Sequence, residues 1–282
     1  MRTLRTFAVA GAMLLLYTGA AVAQGIKVPA PSPAQTVKQN FALSSVELNY
    51  SRPVKKGRVI MGDIVPYNKV WRTGANSPTI ITFGEDVTFG GVPVKAGKYG
   101  LLTIPGAQKW TVILTSSLDV SSPSQYKQEN DVARVSVAPV ALPSSVESFT
   151  IAFEKVLESS MVLTLSWDKV KVPVIITADI ENKILTQIDE AMQHGDKKPY
   201  FLAASYYYEH NRDIKKAAEW VDAATAESPD AFWIWHLKAK IYAKAKDNKV
   251  AREAAMKSIE LAKAAKNDDY VALNNKLLAT LK

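Results

Sequence analysis

Val87-Thr88-Phe89-Gly90-Gly91-Val92-Pro93-Val94 decides the reading of the first half of this 282-residue chain. Two short runs rich in β-branched and aromatic residues flank a glycine pair, and glycine takes the positive φ angles of a two-residue hairpin turn without a Cβ penalty. The stretch therefore reads as two antiparallel strands. Residues 99–104 and 110–114 follow as further strands joined through Pro105-Gly106. Later, Phe149, Ile151 and Phe153 alternate with Thr150 and Ala152, and Met161, Leu163, Leu165 and Trp167 alternate with Val162, Thr164 and Ser166. A period of two places each set on one face of a sheet. Residues 170–177 supply a last strand, and no helical period interrupts the series from Val46 to Thr177. Many short strands with Gly/Pro turns predict an all-β antiparallel sandwich over residues 44–178, with a jelly roll as one topology it can take. Residues 116–130 read as its longest loop.

Outward toward the N-terminus, Pro29, Pro31 and Pro33 mark residues 24–43 as a Pro-rich leader. Before it, Arg2 and Arg5, the apolar run 7–17 and Ala21-Val22-Ala23 read as a secretory signal over residues 1–23. The expected product is periplasmic or secreted and has no transmembrane segment, since the apolar run is shorter than the roughly 18–20 residues a membrane helix needs. The chain has no cysteine, which excludes a disulfide framework and thiolate chemistry. Its formal charge of +8 is basic without being extreme. Residues 24–178 hold 16 Lys/Arg against 11 Asp/Glu, and residues 179–282 hold 17 against 16. Export argues against a nucleic-acid partner; the positive excess suits an anionic glycan or an acidic protein.

At Asp179 the period changes. Ile180, Ile184, Ile188 and Ala191 recur at helical spacing, with Asp179 as the expected N-cap and Gly195 as the stop. Only helical patterns follow, predicting an all-α domain over residues 179–282. A shift of 34 residues aligns Tyr208 with Tyr242, Asp213 with Asp247, Lys215 with Lys249, Ala217 with Ala251 and Glu219 with Glu253. That repeat resembles tetratricopeptide arrays, although the usual Trp and Leu-Gly of the first helix are missing. Tyr208 is expected in the helical core. The resemblance implies a groove lined by Leu202, Tyr206, Glu209, Trp233, His236, Lys240 and Lys244, in which aromatic anchors hold a peptide and lysines receive its acidic groups.

A second resemblance rests on Pro66-Tyr67-Asn68-Lys69-Val70-Trp71-Arg72-Thr73-Gly74-Ala75-Asn76. Ser51-Arg52-Pro53 and Lys56-Gly57-Arg58 precede it, and Ala96-Gly97-Lys98-Tyr99-Gly100-Leu101, Ile104-Pro105, Trp110-Thr111-Val112-Ile113 and Asp131-Val132-Ala133-Arg134-Val135 follow. As an ordered set these motifs resemble a family of bacterial exported proteins catalogued as domain of unknown function 2911. The resemblance implies a location and a fold, and no activity.

Catalytic chemistry is sparse. His194, His210 and His236 all fall in the helical half, so the β region lacks the histidine cluster of a zinc or cupin centre. No metal or cofactor is expected. No nucleophile elbow, phosphate loop or dinucleotide fingerprint appears. A carboxylate-dependent hydrolase would draw on Asp63, Glu85, Asp86 or Asp131. Tyr67, Trp71, Arg72 and Asn76 make a binding constellation of aromatic faces, guanidinium and amide suited to a glycan. The same residues also suit structural work, which the reading places ahead of ligand binding, with Trp71 plugging the sandwich, Arg72 tied to a carboxylate such as Asp131, and Asn76 capping a turn. The function expected is an exported, non-enzymatic adaptor that binds an envelope protein or peptide through its helices; the alternatives are a glycan-binding sandwich and a hydrolase.

Overall fold

The computed structural model describes residues 28–281, so the expected signal segment lies outside the described residues. Among the described residues ten strands precede six α-helices. β1 (Ala34–Phe41), β2 (Ser44–Ser51) and β3 (Ile80–Phe83) lead into the hairpin of β4 (Val87–Phe89) and β5 (Val92–Val94). Gly90 and Gly91 turn that hairpin at φ +55° and +90°. β6 (Gly97–Ile104), β7 (Trp110–Thr115), β8 (Asp131–Val137), β9 (Val140–Glu154) and β10 (Ser160–Thr177) follow. One sheet runs β1-β2-β3-β6-β7-β8 and the other β5-β4-β10-β9, with every paired strand antiparallel. The alternating residues close the space between them: Leu48, Ile81, Leu101, Val112, Phe149, Leu163, Leu165 and Trp167 belong to one buried cluster.

Two boundaries differ from the sequence reading. Residues 24–43 are not wholly a leader, because Ala34–Phe41 forms β1 and pairs with β2 from Ala34 opposite Ser51 to Phe41 opposite Ser44. β1 is an edge strand whose semi-buried positions are Gln35, Val37 and Gln39, so its period of two is written mostly in polar residues. The longest connection between strands is residues 52–79 rather than 116–130. It touches both sheets through single bridges, Val54 to Ser148 and Trp71 to Thr103, and buries Ile60 and Val65 in the sandwich core. Irregular chain of this kind inserts side chains one at a time, without a period.

Behind the sandwich come α1 (Glu181–His194), α2 (Tyr200–Glu209), α3 (Ile214–Glu227), α4 (Phe232–Lys244), α5 (Asn248–Ala264) and α6 (Asp268–Thr280). Asp213 and Asp247, aligned by the 34-residue shift, are the N-caps of α3 and α5 and accept from backbone amides of Lys215 and Val250. Each satisfies an orphan donor of the first turn. Asp179 does not cap: α1 starts later, with Ile180 at the cap position and its side chain buried in the sandwich core. Ile184 of α1 packs against both the sandwich core and the helical core, so this helix joins the two. In the helical core Tyr207 is buried, whereas Tyr208 and Tyr242 are half-buried and lie at its margin. No helix of the described residues is long and apolar enough to cross a membrane.

Candidate functional site

The Trp71-Arg72 segment extends the first sheet where β3 stops. Trp71 exchanges both backbone hydrogen bonds with Thr103 of β6, at 2.7 and 3.0 Å. The pairing turns the Trp71 ring inward, where it stacks on Trp167 at 6.0 Å and meets Phe149 and Trp110 edge-on at 5.0 and 6.5 Å. Its neighbour Val70 faces the other way, onto a small cluster of Leu102, Ile113 and Val120 that lines the outer side of the sheet. After it, Thr73 donates to Thr103 Oγ1 and Thr79 donates to the Thr73 carbonyl, so the buried hydroxyls are satisfied without water. Gly74 leaves room for this stitch, since a Cβ there would stand 2.9 Å from Thr79 Oγ1 and 3.1 Å from the Ser51 carbonyl.

Arg72 and Asn76 are brought together, though as a loop tie: Arg72 Nη1 donates to the Asn76 carbonyl at 2.8 Å, and Asn76 Nδ2 donates to the Ser32 carbonyl. Arg72 is not tied to Asp131. That carboxylate accepts from Arg134 Nη1 and from the Tyr126 hydroxyl, each at 2.6 Å. Burial and the Asp131 charge push the Tyr126 phenol up to about 12. Tyr67 is exposed at the start of the segment. Of the other carboxylates, Glu85 accepts from Lys183 and the Leu43 amide, and Asp86 from Lys95 and the Ala96 amide. Three of the four carboxylates named for hydrolysis are thus held by neighbouring cations. Among the described residues no group of three or more His, Asp or Glu side chains is placed to hold a metal ion.

A second cluster lies where the β9–β10 turn meets the helices. His210 Nε2 is 2.9 Å from Glu158, its ring stacks on Tyr206 at 4.0 Å, and Arg212 pairs with Glu181. Burial works against charge on His210, but the hydrogen bonds to Glu158 and to the Tyr206 carbonyl prevail and hold the imidazole above its usual value of 6.5. A raised native pKa means that the stabilisation is complete below the unfolded value and is lost as pH rises through the native one. The melting-temperature gap between wild type and His210→Gln should therefore be widest below pH ~6.5 and narrow toward alkaline pH. A gap that widens with pH would contradict the clasp.

Trp233, His236, Lys240 and Lys244 are spaced three, four and four apart and form one strip of α4. Trp233 is exposed on that strip, as are Leu202 on α2 and Leu273 on α6. The ammonium groups of Lys240 and Lys244 stand 4.9 and 4.8 Å from the centre of the Tyr208 ring, and Lys244 also donates to the Tyr208 carbonyl and Asn211 Oδ1. Among the described residues neither lysine is paired with a carboxylate; Glu209 accepts from Ser205 on its own helix. Tyr206 departs from the expected groove and faces the sandwich junction, because its ring is taken by His210. His236 is half-covered by α6, with Nδ1 2.8 Å from Asn274 Oδ1 and its ring edge-on to Tyr270. Leu273, Tyr208 and Asn274 are additions that the sequence did not single out for this face. The spacing of Tyr270, Asn274 and Leu277, which puts an amide in an apolar strip, was the available signal for Asn274.

Among the described residues the fold is thus an antiparallel two-sheet region followed by six α-helices, with exposed Leu202, Trp233 and Leu273 on the alternate helices α2, α4 and α6. Residues 32–176 match the model of the family described as Protein of unknown function (DUF2911), and the chain belongs to that family. The match covers the sandwich and ends before α1. No curated protein and no solved structure matches this chain.

Proposed function

We propose that this chain is an exported, non-enzymatic binding protein whose helices recognise an acidic segment of an envelope protein, with the sandwich as its rigid base. One observation carries the reading: exposed Trp233 shares a strip of α4 with two lysines held over an aromatic ring instead of against a carboxylate, and the alternate helices α2 and α6 expose Leu202 and Leu273. An accessible tryptophan is a typical anchor of a protein interface, and cations already positioned lose less side-chain freedom when a carboxylate arrives. The signal-like residues 1–23 support export, and the absence of any strongly basic excess in residues 179–282 makes the lysines a local feature instead of a general positive surface. The glycan reading is weaker because the Trp71 ring is engaged by Trp167, Trp110 and Phe149.

Photo-crosslinking in intact cells tests the face. A benzoylphenylalanine in place of Trp233 should give a discrete adduct, and one in place of Met256, exposed on α5, should not. Lys240→Glu combined with Lys244→Glu should remove the adduct from position 233. Equal adducts from both positions would dispose of the face, and survival of the adduct in the double reversal would dispose of the acidic partner.

A further inference from the structure

A chain of buried hydrogen bonds beneath this face determines which nitrogen of His236 carries the proton. Ser258 of α5 and Asn274 of α6 are both fully buried. The Ser258 hydroxyl donates to the Phe232 carbonyl at 2.7 Å, which commits its only proton. Ser258 Oγ must then accept from Asn274 Nδ2, 2.8 Å away. The same amide nitrogen donates to the Tyr270 carbonyl at 2.7 Å, so turning the amide over would set its oxygen against a second acceptor. Asn274 Oδ1 is therefore the atom facing His236 Nδ1 at 2.8 Å, and it can only accept. Nδ1 carries the hydrogen. In the neutral ring Nε2 is left with a lone pair, turned away from Asn274 and without a protein partner among the described residues.

The groups that face this ring are Lys240 on its own helix, Tyr270 and Asn274 on α6, and Ser258 of α5 behind Asn274. Burial holds the imidazole below its ordinary value; the Asn274 hydrogen bond opposes that shift and the Lys240 charge adds to it. His236 is thus an uncharged acceptor on the strip that carries Trp233 and Lys240.

We propose that the face takes up its acidic segment together with one proton from solvent, which binds His236 Nε2 and is donated as a hydrogen bond to a ligand carboxylate. The proposal rests on the binding reading above. A carboxylate drawn to Lys240 screens the charge that disfavours imidazolium and supplies the acceptor that Nε2–H lacks. Nδ1–H needs no rearrangement, because it donates to Asn274 in both protonation states. By linkage, the proton that assists the ligand is in turn retained by it.

Two measurements on the full chain decide the matter. Imidazole nitrogen NMR at pH 8, with the His236 signals assigned by their loss in His236→Gln, should give the Nδ1–H tautomer; an Nε2–H pattern overturns the proposal with no ligand involved. A fluorescent peptide of alternating glutamate and leucine is then titrated from pH 8 to pH 6, above the peptide's own carboxylate range near ~4.3. Wild-type affinity should rise as pH falls, by up to about tenfold per unit for one linked proton. Affinity in His236→Gln, whatever its level, should not change with pH. Affinity independent of pH in the wild type, or a rise that persists in His236→Gln, overturns proton uptake and leaves the face standing. Failure of the peptide to bind at any pH removes both.

Discussion

Trp71→Ala should lower the melting temperature by about 10 °C, a loss of roughly 3 kcal/mol, the low end for deleting a large aromatic because this one is partly buried, at roughly 2–4 °C per kcal/mol in a protein of this size. The ring touches three aromatic neighbours drawn from both sheets: Trp110 on β7, Phe149 on β9 and Trp167 on β10. Its loss leaves a cavity that those rings, each fixed on a separate strand, cannot readily fill. Edge-to-face and stacked contacts of this kind add about 0.5–1.5 kcal/mol beyond the area they bury. The backbone exchange with Thr103 needs no side chain and should persist, so the variant should melt early but still cooperatively. Trp71→Phe should lose distinctly less. Tyr67→Ala, which removes an exposed ring from the same segment, should stay within about 0.5 kcal/mol of wild type. If Trp71→Ala melts like the wild type in a calorimeter, the ring is no part of the core and its role as a ligand platform returns.

The contrast between Trp71 and β1 explains what sequence could convey. Strands whose buried faces are written in large apolar residues were legible: Met161, Leu163, Leu165 and Trp167 predict β10 because all four point into the core. β1 has one apolar residue buried at its end, Phe41, and otherwise semi-buried glutamines and Val37, so the three prolines before it dominated the reading. The segment 52–79 was opaque for a different reason. Ile60, Val65, Thr73 and Thr79 are buried at isolated positions, and no local period announces that. Helix starts at Asp213 and Asp247 were legible because capping is a local chemistry. The direction of Tyr206 was not: its partner's partner, Glu158, lies 52 residues from His210 on a strand turn. The polar path from His236 to Asn274, 38 residues apart, was hidden in the same way. Residue type and spacing reveal what a side chain can do, and only the tertiary contacts decide whether its faces are free to do it.

Gly90→Ala should cost about 3 kcal/mol, whereas Gly91→Ala, one residue on, should cost only the backbone share of about 1–2 kcal/mol. Both glycines turn the β4–β5 hairpin at positive φ, +55° and +90°, where any L side chain is disfavoured. Their surroundings differ. A Cβ at Gly91 meets nothing within 4 Å, but one at Gly90 falls 2.3 Å from Val135 Cγ1 and 2.9 Å from Cγ2. Val135 belongs to β8, the edge of the other sheet, and its branched side chain is stiff and nearly buried, so it cannot swing aside. Gly90 is therefore doing two things that the hairpin motif presents as one: it makes the turn, and it lets the turn lie against β8. Equilibrium urea melts separate the two terms. Val135→Ala removes both offending methyls, so it should destabilise the wild type yet recover part of the loss in Gly90→Ala, giving a coupling of at least about 0.5 kcal/mol in the double-mutant cycle. Additive losses would mean that strain in the turn alone accounts for the effect and that the sheets do not depend on this contact to close.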